Sequence, residues 1–287
     1  MVTGATGFVG QRVVKRLVDT GVPHEVVRGR LEDPGVFRGV AARASGWLHL
    51  ARKTRDPDHT GFDVNVAMAR NLADVAAGTP MVTLSSVGVY GHGAHRYADE
   101  STPEAPDTAL GRSQAAADAL LRDAGASILR PRFVVGPGDR HVVPGLSRLL
   151  ARSPVWVDAG RAELSFVHVD DLAHALIEAL PWESGVWHVT DGHPIRFRDV
   201  AAVLGARPRV SVPFRALYAP VRLRERLLGL DPEGVSGLSS IRLKLLARDQ
   251  SFSSARLHDR LGVPFRTFRQ AVTPDVSGCA PETPGAA

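Results

Sequence analysis

Three glycines near the start of the chain have the spacing of a phosphate-binding turn. They stand in the run Thr3-Gly4-Ala5-Thr6-Gly7-Phe8-Val9-Gly10, which leads directly into a helical apolar pattern. Glycine permits a tight turn and close backbone approach, and a helix N-terminus presents free N–H groups and the positive end of its dipole. We therefore expect a dinucleotide pyrophosphate to be held by Gly4, Thr6, Gly7, Phe8, Val9 and Gly10.

A second set of residues could carry acid–base chemistry. Ser86, Tyr90 and His92 follow one apolar run, and Arg132 and His141 flank a Gly-Pro-Gly turn. A hydroxyl can orient a substrate oxygen, histidine titrates near neutral pH, and a guanidinium can bind an anionic or enolate oxygen. We take these five as candidate catalytic residues. The structural alternatives are a turn serine, a packed tyrosine, solvated histidines and a surface ion pair.

Strand and helix patterns alternate as far as about residue 130. Strands are predicted at His24–Arg28, Gly46–Leu50, Met81–Ser85 and Ser127–Leu129. Helices are predicted at Phe8–Asp19, Phe62–Ala77 and Gly111–Asp123, and again with breaks between Pro213 and Leu246. Such alternation predicts an α/β fold, a doubly wound parallel sheet covered by helices on both faces.

An ordered set of motifs connects these elements along almost the whole chain. After the glycine turn come His49-Leu50-Ala51, Asn65-Val66, Leu84-Ser85-Ser86-Val87-Gly88-Val89-Tyr90-Gly91, Leu129-Arg130-Pro131, Gly136-Pro137-Gly138-Asp139, Phe166-Val167-His168-Val169-Asp170-Asp171-Leu172-Ala173 and Phe252-Ser253-Ser254. Each motif is loose, but their order is specific. The chain resembles the extended short-chain dehydrogenase/reductase family, in its NAD-dependent epimerase/dehydratase branch.

The resemblance implies a division of labour within the chain. Residues 1–136 are expected to form a Rossmann-like core, and residues 137–275 a smaller substrate lobe whose strands return to the core. Residues 276–287, rich in Pro, Gly and Ala, are expected to be disordered. NAD(P) is the implied cofactor, with Leu50 and Ala51 beside it, and Ser86 matches the active-site Ser/Thr of the family.

The chain departs from the family at the proton-relay pair, Tyr-x-x-x-Lys. In the matching stretch the tyrosine position is Leu110 and the lysine position is Gln114. Leucine cannot transfer a proton, and glutamine cannot lower the pKa of a phenol. Four residues after the three tyrosines, 90, 97 and 218, stand Ala94, Ser101 and Arg222. Ordinary hydride chemistry is therefore expected to be absent, unless another residue has taken over the relay.

A second departure lies in the half of the site that would hold adenosine. No acidic residue stands where NAD enzymes of this kind grip the ribose, and the region carries Arg28 and Arg30 instead. Read as the end of the second strand, the arginines suit a 2′-phosphate and NADP. Read as the third strand of the family, the segment implies that a strand–helix unit has been lost after Gly21. The short spacing from Gly4 to His49 favours this reduced Rossmann fold, and a loose pocket that still works is the alternative.

Composition sets further bounds. The 287 residues are 44% hydrophobic, which suffices for one large core plus a small lobe. No apolar run reaches the length of a membrane span and no leader pattern precedes the first strand, so we expect no membrane partner and a cytoplasmic location. The net charge of +5 comes from scattered arginines, which argues against nucleic-acid binding. The lone Cys279 excludes a disulfide framework, and His168, Asp170 and Asp171 are interpreted as capping residues rather than a metal site.

These observations support three hypotheses of function. The leading one is a dehydrogenase-like enzyme repurposed for dehydration, cyclisation, epimerisation or rearrangement of a small molecule, with NADP preferred if a cofactor binds and none strictly required. The arginine-for-lysine bias associates it with natural-product tailoring. The alternatives are an NADP-dependent reductase or epimerase with a substitute proton donor, and a non-catalytic protein that binds NAD(P) or a metabolite. A homodimer is left open.

Overall fold

The computed structural model describes residues 1–54, 63–76, 78–152, 155–206, 210–232 and 239–273. Their strands are β1 (Val2–Thr3), β2 (Trp47–His49), β3 (Met81–Leu84), β4 (His95–Ala98), β5 (Ser127–Pro131), β6 (Phe133–Val135), β7 (Val155–Val157), β8 (Glu163–Leu164), β9 (Phe166–His168), β10 (Gly185–Val189), β11 (Ile195–Arg196), β12 (Val210–Val212) and β13 (Gln250–Phe252). Their helices are α1 (Phe8–Asp19), α2 (Pro34–Ala41), α3 (Asp63–Ala76), α4 (Ala109–Asp123), α5 (Val142–Arg152), α6 (Val169–Glu178), α7 (Phe197–Val203), α8 (Phe214–Leu227), α9 (Ser240–Ala247), α10 (Ala255–Leu261) and α11 (Phe268–Val272). Single 3₁₀ turns lie at Val87–Tyr90 and Asp158–Gly160.

A five-stranded parallel sheet forms the centre, in the order β1-β2-β3-β5-β10. One row of paired residues crosses four of its strands: Val2 with Leu48, Leu48 with Val82, and Val82 with Ser127. Because all five strands point the same way, their carboxyl ends meet at one edge, where ligands bind in open α/β sheets. The predicted parallel sheet is confirmed.

Helices cover both faces of this sheet. One face is packed by α1 and α6 through a buried cluster that includes Leu17, Leu172 and Leu176. The other is packed by α2, α3 and α4 through a cluster that includes Phe37 and Leu121. The doubly wound architecture is therefore confirmed, and helix α1 has the bounds that the apolar periodicity predicted.

The segment before α2 differs from its predicted form. Instead of a strand over His24–Arg28, it makes one isolated parallel bridge, between Val26 and Val2. Strand β1 is only two residues long, so it offers no backbone for a longer ladder, and Gly29 turns the chain away at φ +117°. Between Gly21 and Ser45, all of which is described, this bridge and α2 are the regular structure. The predicted loss of one strand–helix unit is confirmed.

The second half of the chain builds smaller sheets beside the core. Strands β11, β8, β13 and β4 form one, and the pairs β6–β9 and β7–β12 form two more. Strand β10 pairs with β5 in the central sheet. The helices predicted between Pro213 and Leu246 are α8 and α9. The boundary at residue 136 remains a prediction, and the tail at 276–287 with Cys279 lies outside the described residues.

The stretch after β9 is a helix cap, with a different capping residue from the one expected. His168, rather than Asp171, is the N-cap of α6, and its Nδ1 accepts from the N–H of Asp170. Asp170 pairs with Arg12 on α1, and Asp171 pairs with Arg266. Within the described ranges, no cluster of three metal-ligating side chains occurs and no helix has the length and apolarity of a membrane span.

Asp118, on α4, is buried between two arginines at the carboxyl edge of the sheet. It accepts from Arg52 at 2.8 Å and from Arg130 at 3.1 and 3.2 Å, and it also accepts from the hydroxyl of Ser85. Both arginine side chains are themselves buried. Glu104 supplies a second carboxylate to Arg130, so two carboxylates balance the two desolvated cations. Asp118 links the ends of β2, β3 and β5 to one helix.

We predict that Asp118→Ala lowers the free energy of unfolding by about 3–5 kcal/mol, because it removes the carboxylate partner of the buried Arg52 and one of the two carboxylates that contact Arg130. Urea denaturation followed by circular dichroism measures the loss. Asp118→Asn, which keeps the shape but not the charge, should cost less. The control Asp123→Ala, on the exposed end of the same helix, should change stability by less than about 0.5 kcal/mol. A cost below about 1 kcal/mol for Asp118→Ala would refute this role.

Candidate active site

The glycine turn between β1 and α1 is closed on its inner side by backbone. Gly4 has φ +68°, and a β-carbon there would lie 2.5 Å from the nitrogen of Ala51 and 2.6 Å from the carbonyl carbon of Leu50. A β-carbon on Gly10 would lie 2.1 Å from the carbonyl oxygen of Gly4. Neither position tolerates a side chain. The turn thus packs against the end of β2, where the sequence places Leu50 and Ala51.

Gly7 is different, because it faces outwards. It is the N-cap of α1 in an extended conformation, without a side-chain cap, and the nearest atom to a β-carbon would be the Gly4 oxygen at 3.3 Å. Thr6 and Gly7 are exposed. A β-carbon on Gly7 would fill the space in front of the uncapped helix end, where N–H groups suit an anion. The turn therefore fits a pyrophosphate.

Two segments border this turn. On the substrate-lobe side, the ring of Phe8 lies 3.5 Å from where a β-carbon on Gly138 would be. On the other side, the segment bridged to β1 carries Arg28, which is exposed, and Arg30, whose Nε donates to Glu32 at 3.0 Å. This segment lies directly beside β1, the place of the second strand in a doubly wound sheet.

Ser86 follows β3 and is the N-cap of the 3₁₀ turn at Val87–Tyr90. Its Oγ accepts from the N–H of Gly88 at 3.1 Å. A β-carbon on Gly88 would lie 3.4 Å from this hydroxyl and 3.7 Å from Oε1 of Gln114, so the two polar groups face one small space. Gln114 is buried and Leu110 is half-buried, one turn apart on α4. The structure thus brings Ser86 and Gln114 together.

Tyr90 is buried within a chain of polar contacts. Its hydroxyl accepts from Nη1 of Arg130 at 2.9 Å and contacts Nε2 of His188 at 2.8 Å. His188 Nδ1 faces the carbonyl oxygen of Ser253, so this nitrogen carries the proton and Nε2 accepts from the tyrosine. Burial raises the pKa of Tyr90 and lowers that of His188. The Tyr90 hydroxyl therefore both donates and accepts a hydrogen bond within the protein.

His92 forms a pair with Asp107, just before α4. Its Nδ1 donates to a carboxylate oxygen at 2.7 Å, and Lys244 donates to the other at 3.4 Å. Burial lowers the pKa of His92, although the bond to Asp107 raises it. The ring is therefore neutral at pH 7, with Nδ1 protonated and the lone pair on Nε2. This arrangement suits a general base.

Arg132 lies close enough to His92 and His95 for its charge to lower the pKa of both. Its Nε and Nη2 are buried without a hydrogen-bond partner in the described structure, and its guanidinium stacks 4.2 Å above the Phe133 ring. Burial lowers the pKa of Arg132 to about 10. A desolvated cation without a counter-charge is costly, and an anionic oxygen would satisfy it.

A cavity of about 260 Å³ adjoins the His92–Asp107 pair. Its lining includes His92, Lys244, Arg248 and the stacked rings of Phe214 and Tyr218.

His141, the fifth candidate, is exposed at the start of α5, where its backbone N–H donates to Asp139 at 2.7 Å. The structure therefore brings His92 and Arg132 together, places Ser86 on the adjoining turn, and leaves Tyr90 in the interior.

Sequence reasoning missed the partners of these candidates. Asp107 is 15 residues from His92, and Lys244 is 137 residues from Asp107. Neither carries a motif. The one local signal for Asp107 is its position directly before the Thr108 N-cap of α4, where acidic residues are common without any catalytic role.

The chain is similar in sequence to known enzymes of one family. The model of the NAD dependent epimerase/dehydratase family matches residues 1–189. Ceramide reductase of Caulobacter vibrioides is 29% identical over 92% of this chain and 88% of its own length. The 3beta-hydroxysteroid-dehydrogenase/decarboxylase isoform 1 of Arabidopsis thaliana is 27% identical over 91% of this chain and 75% of its own length.

The fold has solved counterparts. The enzyme WbmG of Bordetella bronchiseptica, crystallised with NAD, superposes with a TM-score of 0.70 at 19% identity, covering 94% of this chain and 90% of the other. At that identity the likeness concerns the fold. It agrees with the Rossmann-type sheet described above.

We predict opposite shifts of the His92 pKa for two substitutions. Asp107→Asn should lower it, because the carboxylate favours the charged ring, and Arg132→Met should raise it, because a nearby cation is removed. Histidine ring resonances followed by NMR against pH give both values, and His95 should follow Arg132→Met upwards. Arg140→Met, an exposed control, should shift neither. Equal pKa values in all variants would show that the three groups do not interact.

Proposed function

The chain belongs to the NAD-dependent epimerase/dehydratase family, and from that premise we propose an NAD(P)-binding enzyme of acid–base chemistry on a small molecule, without net hydride transfer. The glycine turn, the uncapped start of α1 and the open face of Gly7 would hold the pyrophosphate. A bound nicotinamide would supply hydride acceptance or donation, and the proposed reaction has no net hydride transfer.

One observation carries the proposal. It is the guanidinium of Arg132, two of whose nitrogens are buried without a hydrogen-bond partner among the described residues, near the His92–Asp107 pair. When a proton leaves a carbon next to a carbonyl group, the electron pair moves onto the carbonyl oxygen. A desolvated cation placed there stabilises the transition state more than the neutral substrate. Dehydration, epimerisation and rearrangement can all begin with this step.

In this proposal Nε2 of His92 accepts the proton that leaves the substrate carbon. Asp107 fixes the ring through Nδ1 and stabilises the imidazolium that forms. Lys244 holds the second carboxylate oxygen, so the carboxylate cannot turn away from the ring. Ser86 would orient a substrate oxygen, as its counterpart does in the family. His141 remains a candidate for contact with the outer end of the substrate.

Tyr90 receives a positioning role in this proposal. Its hydroxyl is bonded to Arg130 and His188, so it holds the 3₁₀ turn that leads to His92 rather than exchanging a proton with substrate. Leu110 and Gln114 stand at the positions of the family's proton relay. Their chemistry supports redox-neutral turnover, because neither side chain can deliver the proton that accompanies a net hydride transfer.

A second candidate is an NADP-dependent reductase in which His92 replaces the tyrosine as proton donor. It is favoured by the two relatives above, one called a reductase and the other a dehydrogenase/decarboxylase. The two candidates differ in stoichiometry. A reductase consumes one NADPH for each product molecule, whereas the leading proposal consumes none.

NADP is the proposed cofactor in either case. The segment that bridges to β1 takes the place of the second strand, and Arg28 and Arg30 follow the bridge. Two guanidinium groups at this position suit a 2′-phosphate. We further propose a cytoplasmic location, natural-product tailoring, a homodimer and a lobe boundary near residue 136; these rest on the family resemblance and on composition.

We predict that turnover leaves the absorbance of reduced nicotinamide unchanged, and that His92→Ala lowers kcat by about 10²–10⁴-fold, the usual effect of losing a general base. Arg132→Met should lower kcat as strongly, because it removes the charge that meets the oxygen. Product formation from candidate carbonyl substrates, measured by mass spectrometry beside the absorbance, tests both points.

The control is Leu110→Tyr/Gln114→Lys, which restores the relay pair and should not raise the native activity. Stoichiometric loss of NADPH absorbance would favour the reductase. Full activity in a Ser86→Ala/His92→Ala double variant would place the chemistry elsewhere.

We predict weak dinucleotide binding with NADP(H) preferred over NAD(H). Gly7→Asp should abolish it, because a carboxylate would enter the space of the pyrophosphate. Arg28→Glu/Arg30→Glu should reverse the preference and leave NAD(H) binding nearly unchanged. Calorimetric titration measures the affinities for NADP⁺, NADPH, NAD⁺ and NADH. Arg38→Glu/Arg70→Glu, at exposed positions on α2 and α3, is the control with the same change in net charge. Tight, NAD-selective binding by the unaltered protein would overturn the assignment.

A further inference from the structure

Helix α8 presents an apolar stripe to solvent. Leu223 and Leu227 lie one turn apart and are 58% and 75% exposed, and Leu228, directly after the helix, is 64% exposed. Ala216, Ala219 and Pro220 are exposed on the same side. Single exposed leucines are ordinary, but three within six residues form a patch that calls for an explanation.

The opposite face of α8 packs against the rest of the protein. Phe214, Leu217, Tyr218 and Val221 pack on a small core with Leu243 of α9. Glu225, also on this inner face, accepts from the backbone N–H of Ser240 at 2.7 Å and is 3% exposed. The orientation of the helix is therefore fixed, and the leucines cannot turn inwards.

The charged side chains on the outward face of α8 are all positive. Arg215 and Arg226 flank it on one side and Arg224 on the other at 100° per residue, and all three are exposed without an ion pair in the described structure. Arg222 pairs with Glu225, the one carboxylate of the helix, which is buried. The outer surface of α8 thus combines leucine, small residues and uncompensated guanidinium groups.

From this arrangement we propose that α8 binds peripherally to an anionic lipid bilayer. Leucines on the outward face would enter the headgroup boundary, and the flanking arginines would contact lipid phosphates, as in interfacial amphipathic helices. In this proposal the helix would lie flat on the bilayer rather than span it, so a membrane surface is added as a partner that the composition did not predict. A neutral apolar partner would leave three arginines unmatched, whereas an anionic surface matches them.

The position of α8 connects this surface to the candidate site. Phe214 and Tyr218 of its inner face line the cavity that contains His92. A docked helix would therefore hold this cavity directly beneath the bilayer surface, within reach of amphiphilic molecules. The binding itself does not rest on the proposed chemistry, because the surface and the cavity are on opposite sides of the helix.

Vesicle co-sedimentation of the full-length protein tests the proposal. We expect binding to vesicles of phosphatidylglycerol and phosphatidylcholine in equal parts, little binding to phosphatidylcholine alone, and weakening by salt. Leu223→Ser/Leu227→Ser should lower the partition coefficient at least about ten-fold. Arg224→Gln/Arg226→Gln should lower it by roughly five-fold for each charge.

The matched controls are Val18→Ser, an exposed apolar residue on α1, and Arg38→Gln/Arg70→Gln, which changes the net charge equally on other helices. Both should bind vesicles like the unaltered protein, and circular dichroism should show all variants folded. No binding to anionic vesicles, or equal loss in the controls, would overturn the proposal. So would sedimentation velocity showing that the leucine variant dissolves a dimer while vesicle binding persists, since the stripe would then be a contact between copies.

Discussion

The candidate site depends on two buried arginines that share the carboxylate of Asp118, with Glu104 as the second carboxylate that balances their charge. Arg52 follows β2, Arg130 belongs to β5, and Ser85 directly follows β3, so the Asp118 carboxylate on α4 connects three strand ends to the same helix. Arg130 then holds the hydroxyl of Tyr90 and thereby the 3₁₀ turn that leads to His92. Because the interior cannot hold unpaired cations cheaply, this charge balance makes the carboxyl edge of the sheet rigid.

Periodicity in the sequence sufficed for the core and failed at its edge. The apolar repeat of Phe8–Asp19 gave the bounds of α1, because that helix buries one continuous stripe. The run His24–Arg28 has the composition of a strand but makes one bridge, because the length of an edge strand depends on its partner. The two-residue length of β1 sets that limit.

The chemistry of the site was predictable by residue type but not by environment. Arg132 was recognisable as a candidate anion ligand from its place before the Gly-Pro-Gly turn, whereas its lack of a partner is a property of the packed interior. The pairing of His92 with Asp107 and Lys244 joins three segments distant in sequence. Rules of local sequence spacing do not predict such contacts, and a polar residue on a loop is more often solvated than paired.

Asp118 and Arg132 differ in how their charges are satisfied within one site. The carboxylate is saturated by guanidinium groups, which suits a group whose role is to hold elements together. The guanidinium of Arg132 has a pKa lowered to about 10 and two buried nitrogens without partners, which costs stability in the free protein. A buried unpaired charge of this kind is typical of a ligand site, because ligand binding removes its free-energy cost. The unpaired group can bind the charge of the ligand without first breaking an internal hydrogen bond. The contrast between the two residues, rather than either alone, distinguishes the scaffold of the candidate site from the proposed reactive centre.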